Sequence, residues 1–121
     1  MPGFTVTITD ITQPAQSILT LATKGSQAGY TVNPSSPAAI TNVTEVTDVS
    51  YLLIQASNGN GSKVVYKGDQ GVANDGSRQG LELEAGQSNV MQMYPRAANL
   101  QQIYLRANTN GAVVNVEFHH S

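Results

Sequence analysis

Hydrophobic and polar residues alternate at period two along most of this chain, and turn-forming residues break the alternation at roughly 8- to 12-residue intervals, the spacing of short strands in sandwiches and barrels. Phe4, Val6 and Ile8 alternate with Thr5, Thr7 and Thr9. Successive side chains of a strand point to opposite faces, so the first set is expected to be buried and the threonines open. SILTLA, from Ser17 to Ala22, reads as a second strand, and Tyr30 to Val32 as a short one. NPSSP, residues 33 to 37, cannot lie mid-sheet, because proline lacks the ladder donor. Ala39 to Val46 alternates again, with Ile40, Val43 and Val46 inward and a bend in its spacing.

YLLIQA, from Tyr51 to Ala56, is the most apolar segment and is expected to be a central strand. SNGNGS, residues 57 to 62, follows it, and two Asn-Gly pairs between β-type runs predict a hairpin with Lys63 to Lys67 as the return strand. Gly68 to Gly80 is a long glycine-rich loop with Val72 plugged into the core. Leu81 to Glu84 reads as a strand with Leu81 and Leu83 inward, and Val90 to Tyr94 as another. Gln101 to Ala107 places Ile103 and Leu105 on one face and Tyr104 and Arg106 on the other. Ala112 to Phe118 closes the fold. No segment keeps a helical period, beyond one short turn expected between Pro95 and Gln101. The fold class is therefore all-β: a β-sandwich or barrel of about 8–10 short strands. Residues 1–16 are read as an N-terminal arm or edge strand and residues 17–121 as the sandwich domain.

A chain of 121 residues is one domain, long enough to fold without covalent staples. It has no cysteine, which removes disulfides, thiolate metal sites and cysteine nucleophiles. Charged residues make up only 12% of it, so Thr, Ser, Asn, Gln and Gly must cover the surface. Uncharged polar groups cost less to desolvate than ions, which suits a surface that packs on other protein. The net charge is −2 and the basic residues are scattered, so nucleic acid is not an expected partner. No apolar run reaches membrane-spanning length, and MPGFTVTITD lacks the features of a signal peptide.

The side chains capable of chemistry do not form a catalytic constellation. His119 and His120 are adjacent, and neighbours on an extended chain point opposite ways, so they are read as a polar tail rather than a chelate. Asp69, Asn74 and Asp75 share a glycine-rich loop, but their spacing departs from the EF-hand pattern, and turn chemistry is the plainer reading. Glu82 and Glu84 share a strand face as solvated charge rather than an acid–base pair across a cleft. No Gly-x-Ser-x-Gly elbow and no phosphate-binding glycine motif occurs. Asn42-Val43-Thr44 and Asn60-Gly61-Ser62 match glycosylation acceptors by chance. The expectation is a protein without enzymatic activity, cofactor or metal.

From Val65 onward the chain carries Tyr66-x-Gly68-Asp69, Gly80-Leu81-x-Leu83, Ala85-Gly86-Gln87-Ser88, Asn99-Leu100-x-Gln102-Ile103-Tyr104-Leu105 and Thr109-Asn110-Gly111-Ala112-x-Val114-x-Val116. This series resembles small structural proteins of tailed bacteriophages, whose sandwiches end in an aliphatic-Tyr strand, a polar-Gly hairpin and a final alternating strand. The resemblance implies a jelly-roll-like β-sandwich and a virion component of the capsid decoration (cement) type, made in the host cytoplasm and carried on the capsid surface. The implied partners are the major capsid protein and further copies of the chain, a homotrimer first among them. Residues 1–16 are expected to add a strand to a neighbour. Phe4, Val6, Ile8, Tyr30, Tyr94 and Arg96 form the expected interface set. A head-completion or tail protein is an alternative within the virion. A carbohydrate-binding sandwich is the alternative outside it, and tyrosines exposed in a planar row would mark it.

Overall fold

The structure is a computed structural model and describes residues 3–33, 48–75, 77, 80–92 and 98–119. Alternation produces the expected strands: β1 (Gly3–Ile8), β2 (Gln16–Ser17), β3 (Tyr30–Asn33), β4 (Asp48–Val49), β5 (Tyr51–Ala56), β6 (Val65–Gly68), β7 (Leu81–Leu83), β8 (Ser88–Gln92), β9 (Ala98–Asn99), β10 (Tyr104–Ala107) and β11 (Ala112–His119). A five-stranded sheet runs β3-β1-β11-β5-β8, and a four-stranded sheet runs β2-β10-β6-β7. A small ribbon pairs β4 with β9. Every pairing is antiparallel.

The pairings are nested. β6 pairs with β7, β5 with β8, β2 with β10, and β1 with β11. The chain is thus one long antiparallel ribbon, reversed at the loop after β6 and rolled so that its segments alternate between two sheets. Further pairings, β5 with β11 and β6 with β10, stitch the rolled ribbon together. That winding is a jelly roll, with β3 added beside β1.

The core lies between the sheets. Phe4, Val6 and Ile8 of β1 face it beside Val114, Val116 and Phe118 of β11 and Leu52, Ile54 and Ala56 of β5. Val65, Leu83, Leu105 and Ala107 meet them from the other sheet. Fully burying each Val, Leu, Ile or Phe side chain contributes about 1.5–3 kcal/mol, which makes this inner face the main source of stability.

Several expectations are corrected. SILTLA forms not a strand but the start of helix α1 (Ile18–Lys24). Ser17 caps it by accepting from the Thr20 N–H at 3.1 Å, and Gly25 ends it. Ile18, Leu21 and Ala22 are buried at helical spacing, where they pack with the 3-10 turn Leu100–Gln102. SNGNGS is not a hairpin: β5 and β6 lie in different sheets, and residues 57–62 cross between them through a 3-10 turn. Asn60 anchors the crossing, donating to the Val113 carbonyl at 2.9 Å and accepting the Val113 N–H at 2.8 Å. Residues 109–111 likewise cross between sheets, from β10 to β11.

The third correction concerns the arm. β1 is hydrogen-bonded on both sides, to β3 and to β11, so it is an interior strand of the domain and not a free strand or edge. Leu81, expected inward, is 44% exposed on β7, the outermost strand of its sheet. Val72 is buried as expected. The stretches Pro34 to Pro37 and Ala39 to Val46 lie outside the described residues.

Candidate functional site

Four of the six residues expected at an interface belong to the core instead. Phe4, Val6, Ile8 and Tyr30 are each at most 5% exposed and face the opposite sheet. They occupy the correct strands but the inner face, because they are the apolar half of the alternation. Tyr30 is also fixed by its hydroxyl, which donates to the Leu105 carbonyl at 2.8 Å. Tyr94 and Arg96 lie outside the described residues.

The complementary half of the alternation makes the candidate surface. Strand register places Asn33, Thr5, Asn115, Gln55 and Ser88 side by side in one row across all five strands of the larger sheet. Each residue is half-buried or exposed. The Thr5 hydroxyl donates to Asn115 Oδ1 at 3.1 Å, which orders the middle of the row. The next row brings Gly3, Glu117, Leu53 and Val90 together. Val90 is 49% exposed and directly opposite Leu53, so an apolar pair sits at the β8 end of the face. Tyr51 follows on β5 and pairs with Gln92. A shallow depression of about 430 Å³ lies over Gly3, Thr5, Asn33, Gln55, Asn115 and Glu117. Among the described residues with placed side chains, Glu117 is the one ionised group on this face.

The outer face of the smaller sheet is different. Arg106, Tyr66 and Glu82 form a row there. Arg106 Nη2 donates to the Ile11 carbonyl at 2.7 Å, and Asn74 Nδ2 donates to the same oxygen at 3.0 Å. Two loops are thereby tied over this sheet. Burial pushes the Tyr66 phenol up, and the Glu82 and Asp75 carboxylates add to the effect. Asp69 Oδ1 accepts the Gly71 N–H at 2.8 Å and Asp75 Oδ1 accepts the Ser77 N–H at 2.9 Å, so both carboxylates serve their own turns. The Ser77 bonds hold the Asp75 carboxyl below its usual range. Glu82 lies in the row with Tyr66, whereas Glu84 follows the strand and its N–H is taken by Gln87 Oε1 at 2.8 Å. Asn60 is buried with its amide engaged, which leaves no acceptor nitrogen for a glycan.

The two half-buried tyrosines among the described residues, Tyr51 and Tyr104, lie in different sheets and form no planar row. No protein-family model matches this chain, no curated protein is significantly similar to it, and no solved structure matches it.

The sequence could have indicated the polar row. Thr5, Asn33, Gln55 and Asn115 are the outward partners of buried residues on strands recognisable by alternation. What the sequence lacks is the order of strands, which alone aligns them.

Proposed function

We propose that this chain is a virion structural protein, a capsid decoration protein that docks on an assembled shell and bridges major capsid subunits. The observation that carries this reading is the outer face of the larger sheet. It offers five uncharged hydrogen-bonding side chains in register, an adjoining apolar pair and, among the described residues, a single carboxylate. Amides and hydroxyls lose less on desolvation than ions, so such a face favours broad protein contact. Jelly-roll winding supports the reading, because viral shell proteins use that architecture, although lectins and cupins use it too.

The mechanism is linkage. A protein that binds the assembled lattice and not its free subunits stabilises the lattice by mass action. A trimer would engage several equivalent positions at once, and effective concentration would then strengthen individually weak contacts. Docking uses the preformed sheet face rather than an extended arm, since β1 is committed to the fold.

The test is co-sedimentation of the purified chain with expanded capsids of the phage whose genome carries it, together with the capsid melting temperature. Saturable binding and a raised melting temperature are expected. Absence of binding to expanded and unexpanded shells alike would overturn the decoration role.

A further inference from the structure

A second surface has the chemistry of a neutral-sugar site. Tyr104 stands on the outer face of β10, opposite Gly68 on one side and Ser17 on the other. Gly68 has no side chain, and the Ser17 hydroxyl is turned to Thr20, donating to its Oγ1 at 2.9 Å. The tyrosine ring therefore has small neighbours on both flanks. Around it lie Gln101 and Gln102 from the 3-10 turn before β10, and Asp69 and Gln70 from the turn after β6. These five residues line an open depression of about 700 Å³, within the size range of small-ligand sites.

We propose that this depression binds a neutral hexose or N-acetylhexosamine. Three primary amides present donors and acceptors together, and one carboxylate adds acceptor capacity. Such planar groups can bridge vicinal hydroxyls. The phenol ring supplies an apolar face for the sugar C–H groups and a polar tip at its edge. Among the described residues the lining holds no cation and one anion, which disfavours phosphorylated, sulfated and sialylated sugars.

The frame is ordered by the chain's own bonds. The Gln101 N–H donates to Asn99 Oδ1 at 2.9 Å, and the Ile18 N–H donates to the Ile103 carbonyl at 2.8 Å, so both sides of the 3-10 turn are held. On the other rim, Asp69 accepts from Gly71 through its side chain and from the Val72 N–H through its carbonyl, at 3.0 Å. The site lies on the four-stranded sheet and the proposed shell-docking face on the five-stranded one. It does not rest on the decoration reading.

The experiment titrates the full chain with methyl glycosides of glucose, galactose, mannose and N-acetylglucosamine. Side-chain amide resonances of Gln70, Gln101 and Gln102 report binding. At least one sugar is expected to shift them saturably, with sialic acid binding more weakly. Tyr104→Ala should weaken that sugar about tenfold or more, and Tyr104→Phe, which keeps the ring, less than about threefold. The exposed-residue variants Asp69→Ala and Gln102→Ala should each weaken it severalfold, and they decide the matter if Tyr104→Ala fails to fold. The inference is overturned if no sugar shifts these amides, or if the folded Tyr104→Ala, Asp69→Ala and Gln102→Ala proteins bind as the parent does. A Gln55→Lys protein that loses shell binding but keeps the sugar response would separate this site from the docking face.

Discussion

Tyr30 and Leu105 join the two sheets of the sandwich: the tyrosine hydroxyl, on β3, donates to the leucine carbonyl, on β10, across 2.8 Å of buried space. Tyr30→Phe leaves that carbonyl without its donor. Such a loss costs about 1–2 kcal/mol. Urea unfolding should show the midpoint falling with an unchanged slope.

The same contact predicts an alkaline weakness. Burial pushes the Tyr30 phenol up to about 12, partly offset by the Arg106 guanidinium. Below about pH 10 the phenol is neutral in folded and unfolded chains, and its stabilising contribution is complete. Between about 10 and 12 the unfolded state releases this proton first, so stability falls as pH rises. Comparing parent and Tyr30→Phe proteins by urea unfolding across this range should show the steeper fall in the parent. Parallel curves would contradict it.

Asn60 should be intolerant of change. Its side chain is buried and exchanges two hydrogen bonds with the Val113 backbone. Asn60→Ala strands the Val113 N–H, while the Val113 carbonyl keeps the Ser57 N–H at 3.0 Å, so the loss should be about 1–3 kcal/mol. Asn60→Asp should be at least as damaging, because it buries a carboxylate with one oxygen set against the Val113 carbonyl oxygen. Chemical denaturation of both variants checks the order.

Gly29 should reject even alanine. Its φ is +81°, and a Cβ there would lie 2.7 Å from the Asp10 carbonyl oxygen and 2.8 Å from Gln13 Cβ. The Gly29 carbonyl also accepts the Thr9 N–H at 2.8 Å, so the loop cannot shift freely. Gly29→Ala should cost more than about 1–2 kcal/mol, read as a lower melting temperature.

The docking face predicts a separation of stability from binding. Gln55→Lys places a cation in the middle of the polar row and should change folding stability by less than about 0.5 kcal/mol, as surface substitutions usually do. Shell binding should fall sharply, because the cation must be desolvated. Deleting residues 1–8, in contrast, removes β1 from between β3 and β11 and should abolish folding, seen as loss of the cooperative thermal transition.

Alternation made the strands legible. Phe4, Val6 and Ile8, then Val114 and Val116, declare their inner faces through period two alone. Connection chemistry was less informative, since Asn and Gly at residues 57–62 suit a sheet-to-sheet crossing as well as a hairpin. Only the long-range Asn60–Val113 pair distinguishes them, and no local rule reveals it. The helix carries its own local signals. Ser17 and Gly25 are capping residues, and Ile18, Leu21 and Ala22 fit a period near 3.6. Threonine and isoleucine within the segment favoured a strand on propensity. The docking row and the Tyr104 depression join residues far apart in sequence, so strand order had to be known first.

Nested pairing has a consequence for biosynthesis. Gly3 sits opposite Glu117, and β11 is the middle strand of its sheet. Until β11 has left the ribosome, β1 and β5 each have an unsatisfied edge and no common neighbour. Nascent sandwiches are then open to invasion by strands of other chains, so slow translation or crowded polysomes should lower soluble yield.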